Sequence, residues 1–221
     1  MVLCYVTDRR SLHEAASLDD LLQSVEIAGA AGVDWIQIRE KDLSARELLD
    51  FTRRVIAAVH HEPNQNARTG VPHVIVNDRI DVALAAGAAG VHLTSVSIPT
   101  AEAVNWLRAG NALGAFTVGV SCHSLDEAVA AEKAGASYVF FGPVYETPSK
   151  VNSGNPQGLQ RLDEVCSNVR IPVLAIGGVT EESAPACFRA GASGIAAIRM
   201  FQEARDSAAL SASLSRLRSL Q

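Results

Sequence analysis

The sequence predicts an α/β chain closed into a compact (β/α)8 barrel of the TIM type, and three observations predict it. First, one phrase occurs four times: AGAAGV at 28–33 and 86–91, AGASYV at 134–139 and AGASGI at 190–195. Each copy ends an amphipathic stretch and opens an apolar one. Its first glycine suits the left-handed position past a helix end, and its β-branched residue starts a buried strand. Second, the copies begin 58, 48 and 56 residues apart, which leaves room for two βα units in each interval. Third, four further apolar runs lie between the junctions, bringing the strand count to eight.

In chain order the expected strands are Val2–Thr7, Val33–Ile38, His73–Val76, Val91–Leu93, Thr117–Ser121, Tyr138–Phe141, Pro172–Ile176 and Ile195–Ile198. Most are continuous apolar runs, as parallel strands covered on both faces require. Helical patterns fit Leu21–Ile27, Ala45–Val59, Ala101–Leu107, Ser124–Lys133, Glu181–Ala190 and Ala208–Leu217. Ser124 with Glu127 forms a capping-box signature at the start of its helix. An open doubly wound sheet is the alternative arrangement of the same alternation.

At 221 residues and 48% hydrophobic, with no compositional break, the chain reads as one barrel domain over 1–221. No apolar run approaches the ~20 residues of a membrane span, and no signal peptide opens the chain, so a cytoplasmic protein is expected. The net charge of −5 disfavours a nucleic-acid or membrane surface. Any anionic ligand then needs a local basic cluster. The four cysteines, Cys4, Cys122, Cys166 and Cys187, show no metal-type spacing and read as reduced and structural. A homodimer is compatible with the sequence.

Chemistry in such barrels sits at the carboxyl ends of the strands. Residues just beyond the strands are Asp8; Gln37, Arg39 and Lys41; Asn77 and Asp78; Thr94, Ser95 and Ser97; Ser121 and His123; Thr147 and Lys150; Gly177 and Gly178; and Arg199. Alternation sends Gln37, Arg39 and Lys41 to one side, an amide and two cations suited to phosphate oxygens. The competing reading is a surface cluster paired with Glu40 and Asp42. Asn77–Asp78 offers oxygen ligands to magnesium, or else caps the segment beginning at Arg79. Gly177–Gly178 lets backbone approach a phosphate, or merely makes a tight turn, and Arg199 adds a guanidinium or is a solvated first-turn residue. The run from Thr147 through Lys150 to Gly158 reads as a lid loop with a phosphate-binding lysine at its base. His123 is a proton-transfer candidate or a structural histidine. Extended geometry sets it opposite Cys122, against a Cys/His nucleophile pair.

Together these stretches resemble the thiamine phosphate synthase and TenI superfamily from Tyr5-Val-Thr-Asp8 to Arg199. The anchors are Gln37-Ile-Arg39-Glu-Lys41, Asn77-Asp78-Arg79, Gly119-Val-Ser121-Cys-His123-Ser124, Gly142-Pro-Val-Tyr-Glu-Thr147-Pro-Ser-Lys150 and Ala175-Ile-Gly177-Gly178. The resemblance implies coupling of a hydroxymethylpyrimidine diphosphate to a thiazole phosphate, with release of diphosphate and use of Mg2+. Arg39, Lys41, Asn77 and Lys150 would hold diphosphate, Asp78 the metal, Ser121 and Thr147 would assist, and Gly177, Gly178 and the segment after strand 8 would take the thiazole phosphate. The sequence departs from the synthase pattern after Val91-His-Leu93, where Thr94-Ser-Val-Ser97 stands in place of a run with a second metal-binding aspartate. Arg199 replaces a small hydroxyl residue. The sister branch implies a metal-free thiazole tautomerase using His123, to which Glu146 also leans. A non-catalytic barrel binding thiamin intermediates is the third expectation.

Overall fold

The computed structural model describes residues 1–61, 70–112, 114, 116–147, 155–204 and 206–219. Eight parallel strands close a barrel in sequence order: β1 Val2–Val6, β2 Trp35–Ile38, β3 His73–Asn77, β4 Gly90–Leu93, β5 Thr117–Cys122, β6 Tyr138–Phe141, β7 Val173–Ile176 and β8 Gly194–Ala197. Each expected strand is present within two residues of its expected ends. The helices are α1 Leu18–Ala31, α2 Ala45–His61, α3 Ile80–Ala86, α4 Thr100–Ala109, α5 Leu125–Lys133, α6 Gly158–Asn168, α7 Ala184–Arg189, α8 Arg199–Gln202 and α9 Ser207–Arg218, with a 3-10 turn at Arg9–Ser11. Among the described residues no helix is long and apolar enough to cross a membrane.

Contacts gather the chain into two units, Leu3–Val91 with Ile198–Gln221, and His92–Ala197 with Met1–Val2. In the first, Cys4, Tyr5 and Val6 pair with Trp35, Ile36 and Gln37, and the last of these faces Ile75 on β3. This register sets the ends of β1, β2 and β3 level. Helix α1 starts with a capping box between Ser17 and Asp20 and ends on Gly32 at φ 92. Here the left-handed residue is the second glycine of the repeated phrase, because α1 runs one turn further than its periodicity suggests and takes Gly29 into its last turn. In the other three copies the first glycine does the work: Gly87, Gly135 and Gly191 have φ 74, 90 and 85. Asp34, buried just after α1, accepts the Leu3 amide at 2.8 Å and an Arg218 guanidinium nitrogen at 2.9 Å, tying α9 to the amino ends of β1 and β2.

In the second unit Gly119, Val120, Ser121 and Cys122 pair with Tyr138 to Phe141, and β6, β7 and β8 continue the ladder. Ser124 caps α5 by accepting the Glu127 amide at 3.2 Å. The other half of the expected box is altered, because Glu127 reaches one residue further back and accepts the His123 amide at 2.6 Å. Three helices lie outside the expected set, the four-residue α8 among them. Helix α3 is only seven residues long and its N-cap, Arg79, makes no side-chain capping bond. Helix α6 opens on Gly158 after Gln157, again with no side-chain cap, and buries only Leu162 and Val165. Neither carries a start signal, so packing rather than local chemistry decides them.

Candidate active site

In the first unit the carboxyl ends of β1, β2 and β3 carry a polar cluster. Gln37 is 2% exposed and its amide nitrogen donates to Asn77 Oδ1 at 3.0 Å. Gln37 Oε1 is a buried acceptor with no hydrogen-bond partner among the described residues, a position suited to a substrate donor. The strand stops at Ile38, so Lys41 sits in the turn beyond it. Strand alternation therefore does not govern Lys41.

The competing surface pairing of Arg39 and Lys41 with Glu40 and Asp42 is not what forms among the described residues. Glu40 is buried, accepting the Thr7 hydroxyl at 2.8 Å and Arg9 Nη1 at 3.2 Å, with the Arg9 amide at 3.3 Å. Asp42 pairs with Arg9 and Arg10, and the Arg9 bond holds its carboxyl down at about 2. Thr7 Oγ1 in turn accepts the Arg39 amide at 2.9 Å. These bonds pin the β2 turn to the β1 turn through Arg9 and leave Arg39 with Asp8 at 3.6 Å. Lys41 lies close enough to Arg39 that the guanidinium charge, then burial, lowers its pKa, while Asp8 and Asp78 oppose the shift. Two cations that repel each other make a receptor for a multiply charged anion.

Neither Asn77 nor Asp78 caps α3. Asn77 is occupied by Gln37, and Asp78 stands at φ 67, left-handed backbone that costs a side-chain-bearing residue about 1 kcal/mol. Among the described residues no three His, Cys, Asp or Glu side chains gather into a set able to hold a metal ion. Magnesium characteristically uses one or two carboxylates and completes its shell with water and substrate phosphate. Asp78 fits that role, as one hard oxygen ligand near the Lys41 cation.

In the second unit the turn after β4 closes on itself, with the Thr94 amide donating to Ser97 Oγ at 2.7 Å and the two hydroxyls 3.2 Å apart. At the end of β5, Ser121 Oγ lies 2.8 Å from His92 Nε2. His123 follows, its Nδ1 bonded to the Gly142 carbonyl. A carbonyl only accepts, so Nδ1 carries a proton, and in the neutral imidazole Nε2 is the acceptor. Cys122 is buried, which pushes its thiol up to about 12. It is no nucleophile.

Gly177 and Gly178 have φ 92 and 65. A Cβ on the first would lie 2.6 Å from Pro143 Cα, and one on the second 2.7 Å from Tyr145 Cβ. The Gly177 carbonyl accepts the Tyr145 amide at 2.9 Å, so the pair also lets the segment after β6 pack flat on the loop after β7. Thr147 is half-buried and Glu146 exposed. Lys150, with the rest of the expected lid at 148–154, lies outside the described residues. Arg199 is exposed at the start of α8.

Sequence reasoning missed Glu40 as an anchor and His92 and Tyr138 altogether. Glu40 stood between two cations and looked like their partner. His92 lies in the apolar run Val91-His-Leu93, and a buried histidine gives no signal until its neighbours on other strands are known.

The chain matches the family model described as thiamine monophosphate synthase over residues 3–201. A protein of Geobacter sulfurreducens is 43% identical to it over 196 residues, which cover 89% of this chain and 84% of that protein. The thiamine-phosphate synthase of Roseiflexus sp. is 39% identical over 197 residues, 89% of this chain and 76% of the relative. Among solved structures, the thiamine phosphate pyrophosphorylase from Pyrococcus furiosus superposes with a TM-score of 0.80 at 30% identity, covering 99% of this chain and 96% of that one. The chain belongs to the thiamine monophosphate synthase family.

Proposed function

We propose that this protein is a transferase that joins a hydroxymethylpyrimidine diphosphate to a thiazole phosphate, releasing diphosphate and forming thiamine phosphate. The observation that carries the reading is the Arg39–Lys41 pair, on a turn pinned by the buried Glu40, in which the repulsion of Lys41 by Arg39 and burial outweigh the pull of Asp8 and Asp78 and call for further negative charge. A diphosphate supplies that charge. Departure of diphosphate leaves a cation on the pyrimidine methylene, so the protein's task is to stabilise the leaving group and orient the attacking thiazole nitrogen.

Arg39, Lys41 and Asn77 bind the diphosphate, joined by Lys150 on the sequence evidence. Gln37 Oε1 accepts from the pyrimidine amino group, and the family resemblance gives Ser121 and Thr147 positioning roles. Gly177 and Gly178 receive the thiazole phosphate. Asp78 would hold Mg2+, which supplies charge neutralisation at the departing diphosphate. The substrates are small phosphorylated heterocycles.

His123 favours a second reading. An imidazole whose Nδ1–H is fixed by a carbonyl presents Nε2 for proton transfer, as a metal-free thiazole tautomerase requires. One experiment separates the two: purified protein with both substrates, with and without Mg2+, and products followed by mass spectrometry. Magnesium-dependent thiamine phosphate, abolished in Asp78→Ala, is the expected result. Isomerised thiazole carboxylate phosphate without metal, lost in His123→Ala and kept in Asp78→Ala, would establish the tautomerase instead. Binding of either substrate with no turnover would leave a non-catalytic carrier.

A further inference from the structure

Within the unit His92–Ala197, a polar chain crosses an otherwise apolar interior. His92, on β4, is 1% exposed. Its Nε2 lies 2.8 Å from Ser121 Oγ on β5 and its Nδ1 3.2 Å from the Tyr138 hydroxyl on β6. The imidazole packs on Phe140 with ring centroids 4.2 Å apart. Tyr138 reaches His92 only because β5 carries Gly119 between them: a Cβ there would overlap the tyrosine ring at Cζ and Oη. Three polar side chains on three consecutive strands are therefore brought into line across a glycine gap. Such groups are costly to bury unless each is bonded. The open end of the line is Ser121, half-buried at the carboxyl end of β5.

We propose that His92 is a positioning residue that, with Tyr138, sets the direction of the Ser121 hydroxyl proton. The inference rests on the synthase reading, in which Ser121 meets the anionic substrate. A neutral imidazole carries one N–H. With the proton on Nε2, Tyr138 donates to Nδ1, His92 donates to Ser121 Oγ, and the serine O–H is turned away from the histidine as a donor. With the proton on Nδ1, the serine spends its proton on Nε2 and offers only lone pairs outward. A phosphate oxygen needs a donor and so selects the first arrangement. Tautomer and substrate are then coupled: an anion bound at Ser121 draws His92 to the Nε2–H form.

The test is 15N NMR of the full chain labelled at histidine, with the His92 signals identified by their loss in His92→Asn. Inorganic diphosphate with Mg2+ is added as the probe. The expected result is a shift of His92 towards Nε2–H on addition, weakened in Tyr138→Phe, which keeps the ring packing. In coupling assays Tyr138→Phe and His92→Asn lower kcat/KM for the pyrimidine diphosphate by about tenfold, the equivalent of one hydrogen bond. The KM for the thiazole phosphate stays unchanged. A His92 tautomer indifferent to diphosphate, or equal losses toward both substrates, overturns the inference. A wild-type protein that makes no thiamine phosphate overturns the synthase reading instead, and the NMR response still reports on the relay.

Discussion

Replacing Glu40 by glutamine tests whether the buried carboxylate, rather than the strand itself, presents the Arg39 and Lys41 cations. The Glu40 side chain is 2% exposed and that of its partner Arg9 18%. Its two oxygens together take a hydroxyl, a backbone amide and a guanidinium. An amide keeps one acceptor oxygen and turns the other position into a donor, which must face either Arg9, itself only a donor, or Thr7. One charge-assisted bond is lost, about 1.5–3 kcal/mol. At about 2–4 °C per kcal/mol for a chain of this size, the melting temperature should fall by about 3–12 °C. Thr7 also holds the Arg39 amide, so the β2 turn should loosen and affinity for inorganic diphosphate, measured by calorimetry, should fall about threefold to tenfold. A Glu40→Gln protein that melts within about 1 °C of wild type and binds diphosphate equally well would refute the reasoning.

Two other perturbations follow from the same geometry. Asp42 has its folded-state pKa depressed to about 2 from an ordinary 3.8 by the Arg9 bond. It therefore contributes stability that is fully present above pH ~4 and lost as pH falls towards 2, about 1–2 kcal/mol after allowing for its partial exposure. In urea unfolding, wild type should exceed Asp42→Asn by that margin at pH 6, with the margin closing below pH 4; a constant margin would count against the pairing. Gly178→Ala puts a side chain at φ 65 and against Tyr145 and the Glu146 carbonyl, so about 2–4 kcal/mol of stability should be lost. An unchanged melting temperature would mean that the loop after β7 does not pack as described.

The sequence by itself determined the elements that local rules govern. Repeated small-residue junctions and continuous apolar runs are readable because a parallel strand must be apolar on both faces and a helix end wants a left-handed glycine. Rim candidates were legible for the same reason, since eight strand ends mark eight positions. Helices α3 and α6 escaped because neither has a capping side chain, and so neighbours stabilise them rather than their own first turns. What only the tertiary structure decided was partnership. Glu40 follows Arg39 directly yet bonds to Thr7 and Arg9, more than thirty residues away, because a side chain at a strand end is oriented towards the next strand and not towards its chain neighbours. His92, Ser121 and Tyr138 lie in three separate apolar stretches, and only the register of β5 against β6, with Gly119 facing Tyr138, sets them in line. Pattern along a chain records burial; which polar groups meet inside it depends on strand register, a property no single segment carries.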